Sequence, residues 1–579
     1  MKKRFCILTS ILVLAFSVQA QNLLKPEWNF KTGDDISWAS PDFDDSDWKE
    51  IQAGTPWEKQ GYEGYDGFAW YRQKVFIPGD LKKEAIKNRG LILYLAKIDN
   101  SDVTYWNGHI IGETGSMPPD YRSGYDDLRA YSIPPDRLKW GEENTVAVRV
   151  YDGGRGGGII SEPISLRVKG FEELVVIKPV MEREDFLIQK EGPARVKLLV
   201  ENKQKQTLSG KLKVKGVSDF GKDFFSTQQE IKLGSGKTKD IILNLGTPDP
   251  GFYIFSVDLA SEGSVKTHNF AIGVRPEEIV SPPDRADDFD NYWMRARREL
   301  DAVDPQFSLI RQDSLCTDTH EHFLVEMRSL GNVLIRAWYI RPVKNGVYPA
   351  ILHVPSFAST MGPDNLFPMD DMVVLGINIR GQGYSHDALP IIDGYLRHHV
   401  TDKEQYIYRG AYMDCVRAVD FLYSRDEVDT SRIVVEGGSQ GGGLSFATAA
   451  LDNKRIDLCV SSVPFLSDFR DYFKIAEWPG NVFKEYFDEH PDVPEDKVYN
   501  TLSYIDIKNL APWIKAPVLM SVGLSDVVCP PHINFAAYNQ ITAPKKYLAY
   551  PYSGRHGVPG NKYTPVKYKF IRDHFNMHR

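Results

Sequence analysis

Gly437-Gly438-Ser439-Gln440-Gly441 sets one serine between glycines in the spacing Gly-x-Ser-x-Gly. It follows the apolar strand-like run Ile433 to Glu436 and precedes a helical pattern from Leu444 to Leu451. A strand that turns sharply into a helix here leaves the serine oxygen exposed, and the glycines are required because side chains would collide in so tight a turn. The helix start behind the serine also offers backbone N–H groups to a developing oxyanion. The chemistry implied is nucleophilic attack by Ser439 on an acyl carbon.

A serine hydroxyl is a weak nucleophile until a histidine takes its proton and an acid orients that histidine. On strand–elbow–helix scaffolds these partners follow in the order acid, then histidine. The run Val518 to Val522 empties into Gly523-Leu524-Ser525-Asp526, and Lys546 to Tyr550 empties into Ser553-Gly554-Arg555-His556. Both side chains are thereby expected at the carboxyl edge of a sheet, where open α/β sheets gather ligands. The expected triad is Ser439, Asp526 and His556, acting without metal or cofactor; no cysteine or histidine grouping has metal-ligand spacing.

The elements that must position these residues begin after Pro276–Arg285, a stiff polar break containing Ser281-Pro282-Pro283-Asp284. Beyond it, strand-like runs at Ala350–Val354, Met372–Ile377, Ile433–Glu436 and Val518–Val522 alternate with amphipathic segments such as Ala411–Leu422. That alternation predicts a mostly parallel sheet covered by helices. Thr564-Pro565 is expected to open a last helix whose apolar face is Val566, Phe570, Ile571 and Phe575.

Residues 276–579 resemble the acetyl xylan esterase and cephalosporin C deacetylase family, carbohydrate esterase family seven. The resemblance is carried by Asp287 to Trp293, Arg380-Gly381-Gln382-Gly383, Gly438-Ser439-Gln440-Gly441-Gly442, Val463-Pro464-Phe465-Leu466, Leu502-Ser503-Tyr504, Ser521 to Pro531 and Phe535 to Asn539. It implies an α/β-hydrolase fold with Ser439 as nucleophile, Asp526 as orienting acid and His556 as base. It also implies an oxyanion hole from the backbone N–H groups of Gln440 and Phe357. Three positions depart from the family pattern: Ser356-Phe357 replaces a Gly-Tyr pair, His556 is followed by Gly557 and not by glutamate, and Asn378 stands where relatives often carry aspartate. The implied substrate is acetylated carbohydrate. Two other readings stay open: a serine peptidase of prolyl oligopeptidase type, whose paired glutamates for a peptide amino terminus are not identifiable, and a carbohydrate-binding protein with an inactive hydrolase domain.

Upstream, the chain is all-β in pattern. Gly90–Leu95, Val103–Trp106 with Asn107-Gly108 as a turn, and Thr145–Val150 read as short strands. With Asp42–Trp48, Ala69–Arg72 and Tyr151–Gly154, they resemble a galactose-binding-like jelly roll. Seven of the eleven tryptophans fall in this third, where they can stack on sugars or fill β-sandwich cores. Alternation at Arg195–Val200 and Lys211–Val214 predicts a second, immunoglobulin-like β-sandwich. The expected order is a signal peptide at 1–20, a jelly roll at 21–170, the small sandwich at 171–275 and the α/β-hydrolase domain at 276–579.

Lys2, Lys3 and Arg4, the apolar run Ile7–Phe16 and Val18-Gln19-Ala20 form that signal, with cleavage near Ala20 and a periplasmic or secreted product. No later run approaches the roughly 18 apolar residues that span a bilayer, so no membrane partner is expected. The net charge of −8 in 579 residues argues against nucleic acid. Cys316, Cys415, Cys459 and Cys529 are too few and scattered for a disulfide framework and are expected as small buried side chains. The family resemblance leaves a closed homo-oligomer open.

Overall fold

A computed structural model describes residues 22–577 apart from Asp126, Arg155, Asp364 and Ser553; the expected signal peptide lies outside the described residues. The chain divides into two compact units, Met1–Leu174 and Val175–Arg579.

In the first unit a six-stranded antiparallel sheet runs in the order Lys49–Gln52, Glu27–Thr32, Gly67–Ile77, Glu142–Asp152, Ser101–Trp106, His109–Thr114. A three-stranded sheet is built from Ser165–Val168, Leu91–Ala96 and Arg129–Ile133. Residues such as Phe30, Trp57, Tyr71, Leu93 and Trp106 share one buried core cluster. The predicted turn at Asn107-Gly108 has φ of 49° and 77°, the paired positive values that a two-residue hairpin loop of matching twist requires. Trp28, Trp48, Trp57, Trp70 and Trp106 are all buried; these five fill cores and present no open face to a sugar.

The second unit begins with two further sheets. Val175–Val180, Ala194–Asn202 and Thr238–Gly246 form one; Leu187–Ile188, Ser264–Val274, Gly251–Ser261, Leu208–Ser218 and Asp223–Leu233 form the other. Along Ala194–Asn202 the residues Val196, Leu198 and Val200 are buried while their neighbours reach the surface, the period-two pattern of a half-buried strand.

A nine-stranded sheet follows. Its order is Ser308–Arg311, His320–Ser329, Val333–Pro342, Val373–Asn378, Tyr348–His353, Val428–Gly438, Leu458–Ser462, Val518–Gly523 and Lys545–Tyr550. The first three strands join antiparallel, and every pairing from Val373–Asn378 onward is parallel. The strands Ile351–Leu352, Val373–Leu375 and Ile433–Val435 are wholly buried, as expected of parallel strands covered on both faces. Tyr348–His353 pairs with Val373–Asn378 on one side and Val428–Gly438 on the other. The chain thus reverses its direction of winding beside the strand that carries Ser439, and such reversals open a crevice at the carboxyl edge.

Two helices differ from expectation. The helix after Ser439 spans Gln440–Leu451, starting four residues before Leu444; Gly441, Gly442 and Gly443 are poor helix formers, but close backbone packing holds them there. The last helix spans Gly560–His574 with Pro565 inside it. Pro565 can sit there because the bond it forgoes would lie only in the second turn, and Tyr563 is buried in the turn before it. Ile571 and Phe575 are buried as expected, whereas Val566 is exposed.

Candidate functional site

Ser439 follows directly on the strand Val428–Gly438 and adopts φ 57°, ψ −119°, a conformation that L residues hold only when their surroundings enforce it. The surroundings are backbone. A Cβ on Gly437 would lie 2.7 Å from the Gly441 carbonyl, one on Gly441 2.5 Å from the Val354 oxygen, and one on Gly442 2.6 Å from the Ser462 oxygen. The Ser439 N–H donates to Ser462 O at 2.9 Å, and its carbonyl accepts from Gly443 at 3.1 Å and Phe465 at 3.0 Å. The elbow is therefore gripped on both sides.

Asp526 lies just past Val518–Gly523 and is buried. Its Oδ1 accepts the Val528 and Cys529 N–H groups at 2.9 and 2.7 Å, and its Oδ2 accepts the Gly557 N–H at 2.8 Å. His556 Nδ1 stands 3.0 Å from Oδ2 and 3.2 Å from Oδ1. Three backbone donors aim the carboxylate, and it in turn aims an imidazole whose side chain is 35% exposed. The glycine that replaces the family's glutamate has a part in this: Gly557 has φ 90° and turns its own N–H onto Asp526.

The structure brings Asp526 and His556 into contact but records no hydrogen bond, among the described residues, between His556 and Ser439. The Ser439 hydroxyl instead lies 3.8 Å from Cys529 Sγ, a contact that spacing alone did not reveal. Catalytic hydrogen bonds are often long in a free enzyme and tighten when the reacting complex forms.

Gln440 opens its helix, so its N–H has no partner one turn back; the Phe357 N–H makes no hydrogen bond to another described residue. The Gln440 side chain is buried and pinned: Tyr408 Oη donates to its Oε1 at 2.8 Å, and its Nε2 donates to Gln382 Oε1 at 3.1 Å. Arg380 makes a two-pronged ion pair with buried Asp414 at 2.9 and 2.7 Å. The Arg380-Gly381-Gln382 segment thus braces the elbow from behind. Asn378, in place of aspartate, accepts the Met361 N–H and donates to the Met361 carbonyl, both at 2.9 Å; a carboxylate could do only the first. Phe465, whose N–H bonds the Ser439 carbonyl, belongs to an aromatic cluster: it meets Trp478 at 5.4 Å and Tyr472 at 5.6 Å, and Trp478 meets Phe357 at 5.4 Å. A cleft of about 680 Å³ backs the Asp526 loop, between Ile254 and Asn269 of the five-stranded sheet and Leu524–Val527, but neither Ser439 nor His556 lines it.

The family model that describes acetyl xylan esterase matches residues 278–574, over half of the chain and including Ser439, Asp526 and His556. The chain belongs to the acetyl xylan esterase family. As a member it is a carboxylic ester hydrolase. It is similar to acetyl esterase Axe7A of Xylanibacter ruminicola, with 29% identity over 353 residues, 58% of this chain and 77% of that protein. Two solved structures are also similar: the acetyl xylan esterase from Paenibacillus sp. R4 (32% identity, TM-score 0.47) and acetyl xylan esterase 1 from Thermoanaerobacterium sp. JW/SL YS485 (31%, 0.47). Each covers 52% of this chain and 98% of its own. No helix among the described residues is long and apolar enough to cross a membrane.

Proposed function

We propose that this esterase removes O-acetyl groups from acetylated xylan and its oligosaccharides by two-step acyl transfer. His556, held by Asp526, takes the Ser439 proton on Nε2 as Oγ attacks the acetyl carbonyl, and the oxyanion is met by the Gln440 and Phe357 N–H groups. The sugar alkoxide leaves with the proton returned from His556. Water, deprotonated by the same histidine, then releases acetate and restores the serine. The observation that carries the reading is the strained Ser439 elbow standing with the Asp526–His556 pair in a chain of this family.

The reading includes an α/β-hydrolase fold for the esterase region, a jelly roll and an immunoglobulin-like sandwich before it, and export to the periplasm or beyond on the strength of residues 2–20. The missing Ser439–His556 hydrogen bond favours one alternative, a sugar-binding protein whose hydrolase is inert. Acetate release from acetylated xylo-oligosaccharides and from 4-nitrophenyl acetate separates the two. Release by the intact protein, resistant to chelator and absent in Ser439→Ala, is the expected result. Folded protein that releases acetate from neither substrate would overturn the proposal.

A further inference from the structure

Three ligating side chains away from Ser439 meet where the turn after the strand Leu208–Ser218 packs on the nine-stranded region. Asp468 immediately precedes the helix Phe469–Ile475, Asp471 lies on that helix, and His532 lies on the helix Pro531–Tyr538. One ligating atom of each is within 4.8 Å of the other two. Asp468 and His532 are buried, while Asp471 is half-buried and gives the group a path to solvent.

Two observations separate this group from an ordinary acidic corner. Asp468 gives Oδ1 to the Lys508 ammonium at 3.0 Å, but its Oδ2 is buried and meets no hydrogen-bond donor. A buried carboxylate oxygen without a donor is unfavourable unless another positive group meets it. Independently, His532 Nδ1 lies 2.8 Å from the Asp219 carboxylate on that turn, leaving Nε2 as the free nitrogen. A carboxylate on one ring nitrogen is the arrangement that orients a metal-ligating histidine and raises its basicity.

We propose that Asp468, Asp471 and His532 bind a divalent cation of the zinc class, with Asp219 positioning His532, and that this ion ties the helix Phe469–Ile475 to the helix Pro531–Tyr538. One imidazole nitrogen with two carboxylates suits zinc better than calcium or magnesium, which favour all-oxygen sites. Zinc bonds of about 2.0–2.2 Å require ligand atoms closer together than 4.8 Å. Asp471, paired with Lys474 at 2.8 Å, must leave that lysine and turn inward, as a half-buried side chain can.

The test uses the untagged full chain, stripped with chelator, re-equilibrated with zinc chloride and dialysed. Metal content and thermal unfolding are then measured. One retained zinc per chain and a melting temperature raised by several degrees are expected, because a ligand that binds only the folded state stabilises it. Asp471→Asn, a change at a half-buried side chain, should lose both effects while its metal-free melting temperature stays near that of the parent. Three results would each overturn the site: no zinc retained and no shift in the parent, an undiminished response in both Asp471→Asn and the double variant Asp468→Asn with Asp471→Asn, or stabilisation by calcium alone.

Discussion

Asp526 Oδ2 accepts the Gly557 N–H at 2.8 Å while standing 3.0 Å from Nδ1 of His556, so one oxygen serves both the histidine and the residue after it. Asp526→Asn would turn an amide N–H toward one of these donors and impose the wrong histidine tautomer. We expect turnover of 4-nitrophenyl acetate to fall by about 10³–10⁴-fold. A lowered melting temperature should accompany it, since backbone donors lose their charged acceptor. Turnover within tenfold of the parent would remove Asp526 from the orienting role.

Gly441→Ala tests the elbow by sterics alone. The added methyl would come within 2.5 Å of the Val354 carbonyl oxygen, and backbone cannot step aside as a side-chain tip can. Overpacking of this kind costs about 1–3 kcal/mol, and displacement of Ser439 should reduce turnover more than stability. Urea unfolding and initial rates on the same preparation check both. A variant with parental rates would show that the elbow has slack the geometry does not allow.

How far the site was legible follows from what each residue depends on. The places of Ser439, Asp526 and His556 after strands were legible because strand ends are written in local apolar patterns. Asn107-Gly108 was legible for the same reason: a two-residue turn is a local matter. Cys529 beside Ser439, Gln382 and Tyr408 on the Gln440 side chain, and His532 with Asp468 were not, because they meet across long chain separations. The reach of His556 toward Ser439 depends on the loop after Tyr550, where nothing periodic constrains the path. Pro565 misled as a helix start because its rule describes the first turn, whereas burial of Tyr563 carries the helix back to Gly560.

Glu436, three residues before Ser439, is held between His353 at 2.6 Å and Lys567 at 2.8 Å. Although burial alone would raise its carboxyl pKa, the Lys567 and His353 charges hold it well below the usual range. A depressed carboxylate stabilises the fold above its unfolded pKa and loses that contribution as pH falls through the folded value, so the wild-type contribution persists into strongly acid solution. Lys567→Met leaves Glu436 short of one cation in a nearly buried place, a loss of roughly 3–5 kcal/mol. The deficit should shrink from pH 7 to pH 4, because without the Lys567 charge Glu436 itself takes up a proton more readily in the folded variant. Urea midpoints at the two pH values decide it; an equal deficit at both would mean that Lys567 contributes packing and not charge.

Asp506 behaves in the opposite sense. Burial raises its carboxyl to about 7, against the pull of Lys508, so the folded state keeps a proton that the unfolded state has already released. A group raised in this way stabilises fully below its unfolded pKa and loses that contribution as pH rises through the folded value. Between pH 6 and 8 the unfolded chain holds fewer protons here than the native one, and stability should decline by up to about 1.4 kcal/mol per pH unit from this residue. Asp506 Oδ1 caps the short helix Ile507–Leu510 by accepting the Lys508 N–H at 2.9 Å, and Oδ2 accepts the Phe469 N–H at 3.2 Å. Asp506→Asn retains the first bond and cannot ionise. The variant should therefore lose some stability at pH 6 through the second bond and lose less than the parent between pH 6 and 8. Parallel stability curves for parent and variant across that interval would mean that Asp506 is already ionised at pH 6, with Lys508 dominating its surroundings.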